Sequence, residues 1–210
     1  MGTAFRVLWL AIKDYYEEMF TLAGASLVWM LLAIPLITLP PATAGILYLT
    51  NQVAHHKSIE FGMFFQGFKK FFLKSWLLVL INVAVGIVFY TNLRFYAQYD
   101  AQWSVIVRGL FVGLFALWCL IQIYVLPMLF EQEQPRLLLA LRNAAFLTFA
   151  TPITSLFLGI LIVVVAILSS VLVILLPFAM MGVIGLMANH AVLTLLVQLG
   201  IRKPPEEVVE

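Results

Sequence analysis

"NAAFLTFATPITSLFLGILIVVVAILSSVLVILLPFAMMGVIGLMANHAVLTLLVQLGI", residues 143–201, runs for 59 residues without an Asp, Glu, Lys or Arg. As one straight helix it would be about 90 Å long, roughly three times the hydrocarbon thickness of a bilayer. The tract must therefore turn back on itself. Pro177 is the expected turn, because proline removes an amide donor and clashes with the preceding helical turn. That places two membrane spans at 153–175 and 178–199.

The rest of the chain agrees with this solvent. Of 210 residues, 64% are hydrophobic and 10% charged, with a mean hydropathy of +1.07. A soluble domain carries about 25% charged residues, so too little polar surface exists here to face water. The sequence therefore reads as all-α: a single polytopic transmembrane helical bundle over residues 1–210, with lipid as its principal partner. The net charge of +2 is scattered, with no basic block, which excludes nucleic acid as a partner. The N-terminal stretch lacks the basic, apolar and small-residue layout of a cleaved signal, and Arg6 breaks the myristoylation pattern. Cys119, the one cysteine, lies in an apolar run, where it reads as a small packing group.

Three further apolar runs, 20–39, 75–93 and 103–129, bring the expected spans to five, the first of them also compatible with a re-entrant hairpin. Five crossings put the chain ends on opposite sides. Lys57, Lys69, Lys70, Lys74, Arg136, Arg142, Arg202 and Lys203 then share one side against Arg6, Lys13 and Arg94, with Arg108 just inside the third span, so the N-terminus is expected outside and the C-terminus in the cytoplasm. Pro40 and Pro41 stop the first run and start a helix at another angle, whose Ala42, Ala44 and Gly45 permit close contact.

Three segments carry amphipathic patterns expected to lie at the bilayer surface. Residues 1–19 set Phe5, Leu8, Trp9, Ile12, Tyr16 and Met19 at helical spacing. "FGMFFQGFKKFFLKSW" (61–76) combines a phenylalanine stripe, including Phe64 and Phe68, with Lys69, Lys70 and Lys74. "EQPRLLLALRNAAFLTFATP" (133–152) sets Arg136 and Arg142 beside Leu138, Leu139, Leu141 and Phe146. Such faces anchor a protein at the headgroups, and they can also dock a partner. The tail, 200–210, reads as solvated.

Four motifs in order, "AFRVLWLAIKDYYEEMF", "LPPATAGILYLTNQ", "FGMFFQGFKKFFLKSW" and "LPMLFEQEQPRLLLALRNAAFLTFATP", resemble the YesL-like family of bacterial integral membrane proteins, a domain of unknown function. The resemblance implies a bacterial cytoplasmic membrane location and a helper role beside carbohydrate-uptake transporters. It brings no catalytic residues and no cofactor.

Polar groups at membrane depth mark function most sharply, since hydrocarbon offers them no water. Asn82, Gln122, Asn189 and His190 are the binding candidates, with His190 expected to hydrogen-bond Asn82 or Gln122. None is a carboxylate, which disfavours ion-coupled transport. Gly109 with Gly113, and Gly182 with Gly185 and Ala188, read as close-packing seams, within one chain or between two copies. His56 and Glu60 could share a helix face, but two ligands are too few for a closed zinc site, so no metal is expected. The expected function is a non-catalytic accessory of a carbohydrate transporter, docking through Phe64, Phe68, Lys69, Lys70, Arg136 and Arg142. A small permease or channel for a neutral solute is the alternative. An enzyme would need a pocket joining His56 to Glu131 or Glu133.

Overall fold

In the computed structural model, residues 2–171 and 178–203 are described, and among these the chain is helical throughout, with nine helices. They are α1 (Gly2–Glu17), α2 (Met19–Ala33), α3 (Leu39–Ala54), α4 (Gly62–Lys70) and α5 (Phe72–Tyr96), followed by α6 (Gln102–Phe130), α7 (Leu137–Ala150), α8 (Pro152–Val171) and α9 (Met180–Gln198). The expected turn at Pro177, and Pro204 with Pro205 in the tail, lie outside the described residues.

Four helices, α5, α6, α8 and α9, have the length and apolarity to cross a bilayer. Side chains such as Leu80, Ile87, Leu110 and Ile167 are exposed along them, and only hydrocarbon accommodates so many without cost. The chain is thus a multi-pass membrane protein. The fifth expected span, 20–39, is corrected: α2 stops at Ala33 after 15 residues, about 22 Å, too short for a core of about 30 Å. Beyond the break α3 opens with Pro40 and Pro41 in its first turn, and it folds back on α2, where the Trp29 indole N–H donates to Thr43 Oγ1 at 3.0 Å.

At the centre lies α3, packed by α2, α4, α5, α6 and α9. Its small residues allow this, since Ala42 and Ala44 are fully buried and a Cβ on Gly45 would stand 2.8 Å from the Phe64 carbonyl oxygen. On the facing helix, a Cβ on Gly67 would meet Tyr48 Cβ at 2.7 Å, so the α3–α4 crossing depends on two glycines. The α9 seam closes as its spacing suggested: a Cβ on Gly185 would meet Thr50 Oγ1 at 2.6 Å. Gly109 and Gly113 differ: among the described residues no neighbour lies within 4 Å of a Cβ at either position, so that pair packs against no described part of its own chain.

Helices α5 and α6 form an antiparallel hairpin. Ser104 Oγ donates to the Tyr96 carbonyl at 2.7 Å near its tip, and Phe89 packs edge-on against Phe111 and Phe115. Tyr124 OH donates to Ser155 Oγ at 2.9 Å, fastening α6 to α8.

Helix α1 departs most from expectation. It runs antiparallel along α9, with Gln198 Nε2 donating to Thr3 Oγ1 at one end and Tyr15 OH donating to the Phe178 carbonyl at the other. It therefore lies along a spanning helix instead of flat across the bundle's end. The reason is its second stripe: Ala4, Val7, Ala11 and Asp14 are buried, while Phe5, Trp9, Ile12 and Tyr16 are exposed. In lipid, small and polar residues seek protein and bulky apolar ones can face out. Thr3 and Gln198 consequently share one end of the bundle, contrary to chain ends on opposite sides.

Candidate functional site

Two polar clusters meet around α9, and neither carries a full set of the expected residues. In the first, Asp14 of α1 faces His190 of α9, with Oδ2 and Nε2 2.7 Å apart and the two side chains 6% and 7% exposed. The carboxylate that seemed to be missing from membrane depth is therefore supplied by α1. His190 is not bonded to Asn82 or Gln122, because those sit on the α5–α6 hairpin. There Asn82 Nδ2 donates to Gln122 Oε1 at 3.2 Å and accepts, through Oδ1, from the Trp118 indole at 2.9 Å. Among the described residues, Gln122 Nε2 is buried without a partner. The four expected intramembrane residues thus fall into separate places and line no common path.

The second cluster is built where the C-terminal ends of α3, α6 and α9 converge. Asn189 Nδ2 lies within 3.1 Å of the Leu47 carbonyl, Thr50 Oγ1 and the Gly185 carbonyl. Its Oδ1 accepts from Asn51 Nδ2 at 3.1 Å, and the same Asn51 amide donates to Glu131 Oε1 at 2.8 Å. The other Glu131 oxygen lies 2.6 Å from Arg202 Nη1 and 3.3 Å from His55 Nε2. Gln52 and Lys57 extend the chain outward, Gln52 Nε2 donating to Asn51 Oδ1 and Lys57 Nζ to Gln52 Oε1.

Charge is shared closely here. His55 Nδ1 lies 2.8 Å from the Asn51 carbonyl, while Nε2 lies 3.3 Å from both the Glu131 carboxylate and the Arg202 guanidinium, an acceptor and a donor at the same nitrogen. The hydrogen bond to Glu131 raises its pKa, against the opposing effects of burial and of Arg202. Burial works against the Glu131 carboxylate, but His55, Asn51 and Arg202 together outweigh it, and its pKa is held below the ordinary value. With Arg202, His55 and Asn51 engaging both oxygens, Glu131 is a structural tie and not a free base.

Beside this cluster lie two cavities of about 420 and 320 Å³ that share Ala54, His56, Leu193 and Val197. Arg6, His190 and Gln198 complete the larger, and His55, Arg202 and Lys203 the smaller. His56 is not helical, so the face it was expected to share with Glu60 does not exist; it sits just beyond α3 at φ +52°. Among the described residues no three His, Cys, Asp or Glu side chains converge as metal ligands would.

The docking candidates divide by exposure. Phe64 is fully buried against α3 and its ring belongs to the interior, which corrects its assignment to an outer face. Phe68 is half-buried, whereas Lys69, Lys70, Arg136 and Arg142 are exposed. Lys70 Nζ also lies over the Tyr48 and Phe71 rings, 5.7 and 5.4 Å from their centroids. Exposed Leu138, Phe146 and Phe149 flank Arg142 on α7.

Asp14, Thr50, Asn51, Glu131 and Arg202 escaped the sequence reading as partners of the α9 polar pair. The usable signal was positional: Asp14 continues the small-residue stripe of Ala4, Val7 and Ala11, at helical spacing.

These features define a multi-pass helical membrane protein with two hydrogen-bonded polar clusters around α9. Residues 22–93, about a third of the chain, match the family described as "Protein of unknown function, DUF624". That segment holds α3, α4, Asn51, His55 and His56, but not Asp14, Glu131, His190 or Arg202. No curated protein and no solved structure matches the chain.

Proposed function

We propose that the protein is a non-catalytic accessory or assembly partner of a carbohydrate-uptake transporter in a bacterial cytoplasmic membrane. One observation supports the reading: Asp14, Asn51, Glu131, Asn189 and His190 are engaged with one another or with neighbouring side chains, while Lys69 and Lys70 on α4, and Arg136 and Arg142 near exposed Leu138 and Phe146 on α7, are presented outward. The order of motifs resembling the YesL-like family supports the choice of partner. In this reading the end where Thr3 meets Gln198 is cytoplasmic. Arg6 then joins the eight basic residues of the connecting segments and tail there, nine against Arg94 and Arg108 at the α5–α6 tip and Lys13 toward the other end of α1. Purification in mild detergent should recover a transporter subunit, and Lys69→Glu combined with Arg142→Glu should abolish that recovery and slow growth on the sugar. Recovery of no subunit, with growth unchanged in the double variant, refutes the proposal.

A second reading, a small permease, gains from the buried Asp14–His190 pair, since transporters keep such groups at membrane depth. Solute flux in reconstituted vesicles that His190→Leu abolishes would favour it. Vesicles without flux for any neutral sugar tested would remove it.

A further inference from the structure

The two cavities that share His56 form one cleft, and its chemistry is uniform in sign. All three histidines of the chain line it, together with Arg6, Arg202 and Lys203, and among the described residues no Asp or Glu lines it. Asp14 and Glu131 lie behind it, each committed to a partner, and among the described residues Arg6 has no carboxylate partner. Its apolar side is supplied by Leu10, Leu193 and Val197. His55, His190 and Arg202 also serve Glu131 and Asp14, so among the described residues Arg6, His56 and Lys203 are the cleft's unengaged donors, and such donors on an apolar wall suit a phosphoryl anion, which offers several acceptor oxygens and negative charge.

Backbone geometry at His56 points the same way independently. Its amide donates to the Val53 carbonyl at 2.7 Å and the Lys57 amide to the Gln52 carbonyl at 3.1 Å, the paired bonds that close a helix through a left-handed residue. Glycine ordinarily fills that position, because a side chain at φ +52° is disfavoured. Here an imidazole occupies it and lines the cleft. Strained side chains of this kind persist where they serve a site.

We infer that the cleft between α1, the end of α3 and α9 binds a phosphoryl anion, through Arg6, His56 and the Arg202–Lys203 segment. The ligand is either the headgroup of an anionic lipid, with its chains along Leu10 and Leu193, or a soluble phosphate. This site is distinct from the docking faces and does not depend on the transporter reading.

The test is thermal unfolding of the full chain in dodecyl maltoside, with added inorganic phosphate or dihexanoyl phosphatidylglycerol, and with dihexanoyl phosphatidylcholine as the zwitterionic comparison. Ligand that binds only the folded state raises the midpoint by mass action. At least one anionic probe should stabilise, and the probe that does so identifies the source. Arg6→Gln should raise the half-saturating concentration fivefold or more. His56→Gly should do the same while raising the unliganded midpoint, because glycine relieves the left-handed backbone, so loss of binding cannot be ascribed to loss of fold. Lys69→Gln, outside the cleft, should change nothing. Stabilisation by neither anionic probe, or equal loss in Lys69→Gln, overturns the inference.

Discussion

Removing His190 should cost far more than removing an ordinary interhelical hydrogen bond. In His190→Leu the Asp14 carboxylate, on a side chain 6% exposed in the intact protein, loses its 2.7 Å partner and stays between α1 and α9. Stranding a buried charge costs about 3–5 kcal/mol, whereas a typical hydrogen bond between membrane helices is worth about 0.6 kcal/mol. For a chain of this size about 3 kcal/mol corresponds to roughly 6–12 °C in the unfolding midpoint. Asp14→Leu should fall by a similar amount for the reciprocal reason. The double variant Asp14→Leu with His190→Leu replaces the pair by apolar groups and should return to within about 1 kcal/mol of the parent. Tryptophan fluorescence during heating in detergent measures all three. Single substitutions that shift the midpoint by less than about 2 °C, or a double variant whose loss equals the sum of the singles, would refute the reasoning.

Other outcomes follow from the same packing and charges. Gly45→Ala places a Cβ against the Phe64 backbone, which cannot swing aside, so it should destabilise by about 1–3 kcal/mol. Gly113→Ala meets nothing within 4 Å and should be neutral, or stabilise by up to about 1 kcal/mol through helix propensity; thermal unfolding of both variants checks the contrast. The His55–Glu131 contact should show a pH window. His55 has a raised pKa, so its contribution is complete below about pH 6.5 and fades as pH rises; Glu131 has a lowered one, so its contribution is complete above about pH 4.5 and fades as pH falls. The stability advantage of the parent over His55→Gln should therefore be largest near pH 5–6 and shrink by pH 8, as midpoints across that range will show.

Much of the architecture was legible because hydrocarbon imposes it. The uncharged tract yielded α8 and α9, the paired prolines marked the start of α3, and the Gly182–Gly185 seam lay where its spacing put it. The first run misled because length alone was counted, and the helical break between Ala33 and Leu39 cannot be read from hydropathy. For α1 the difference lies in its second face, which meets α9. The stripe of Phe5, Trp9 and Tyr16 faces out, as a lipid-facing stripe would, but the opposite stripe of Ala4, Ala11 and Asp14 packs on α9 instead of facing water. Asp14, the partner of His190, belongs to that second face. Glu131 was visible as a residue at a span's edge, but its role arises from Asn51, His55 and Arg202, which come from distant parts of the chain. Periodicity carries no information about such meetings.

The central claim is that Asp14 and Thr3 pin α1 lengthwise to α9, so that both ends of the chain emerge together. Sided labelling tests it in a Cys119→Ala background, with Gly2→Cys, Lys203→Cys and, at the α5–α6 tip, Asp100→Cys, using a membrane-impermeant maleimide on sealed vesicles of known orientation. Labelling of Gly2→Cys and Lys203→Cys from one compartment and of Asp100→Cys from the other is the expected result. Gly2→Cys and Lys203→Cys reacting from opposite compartments would contradict the account.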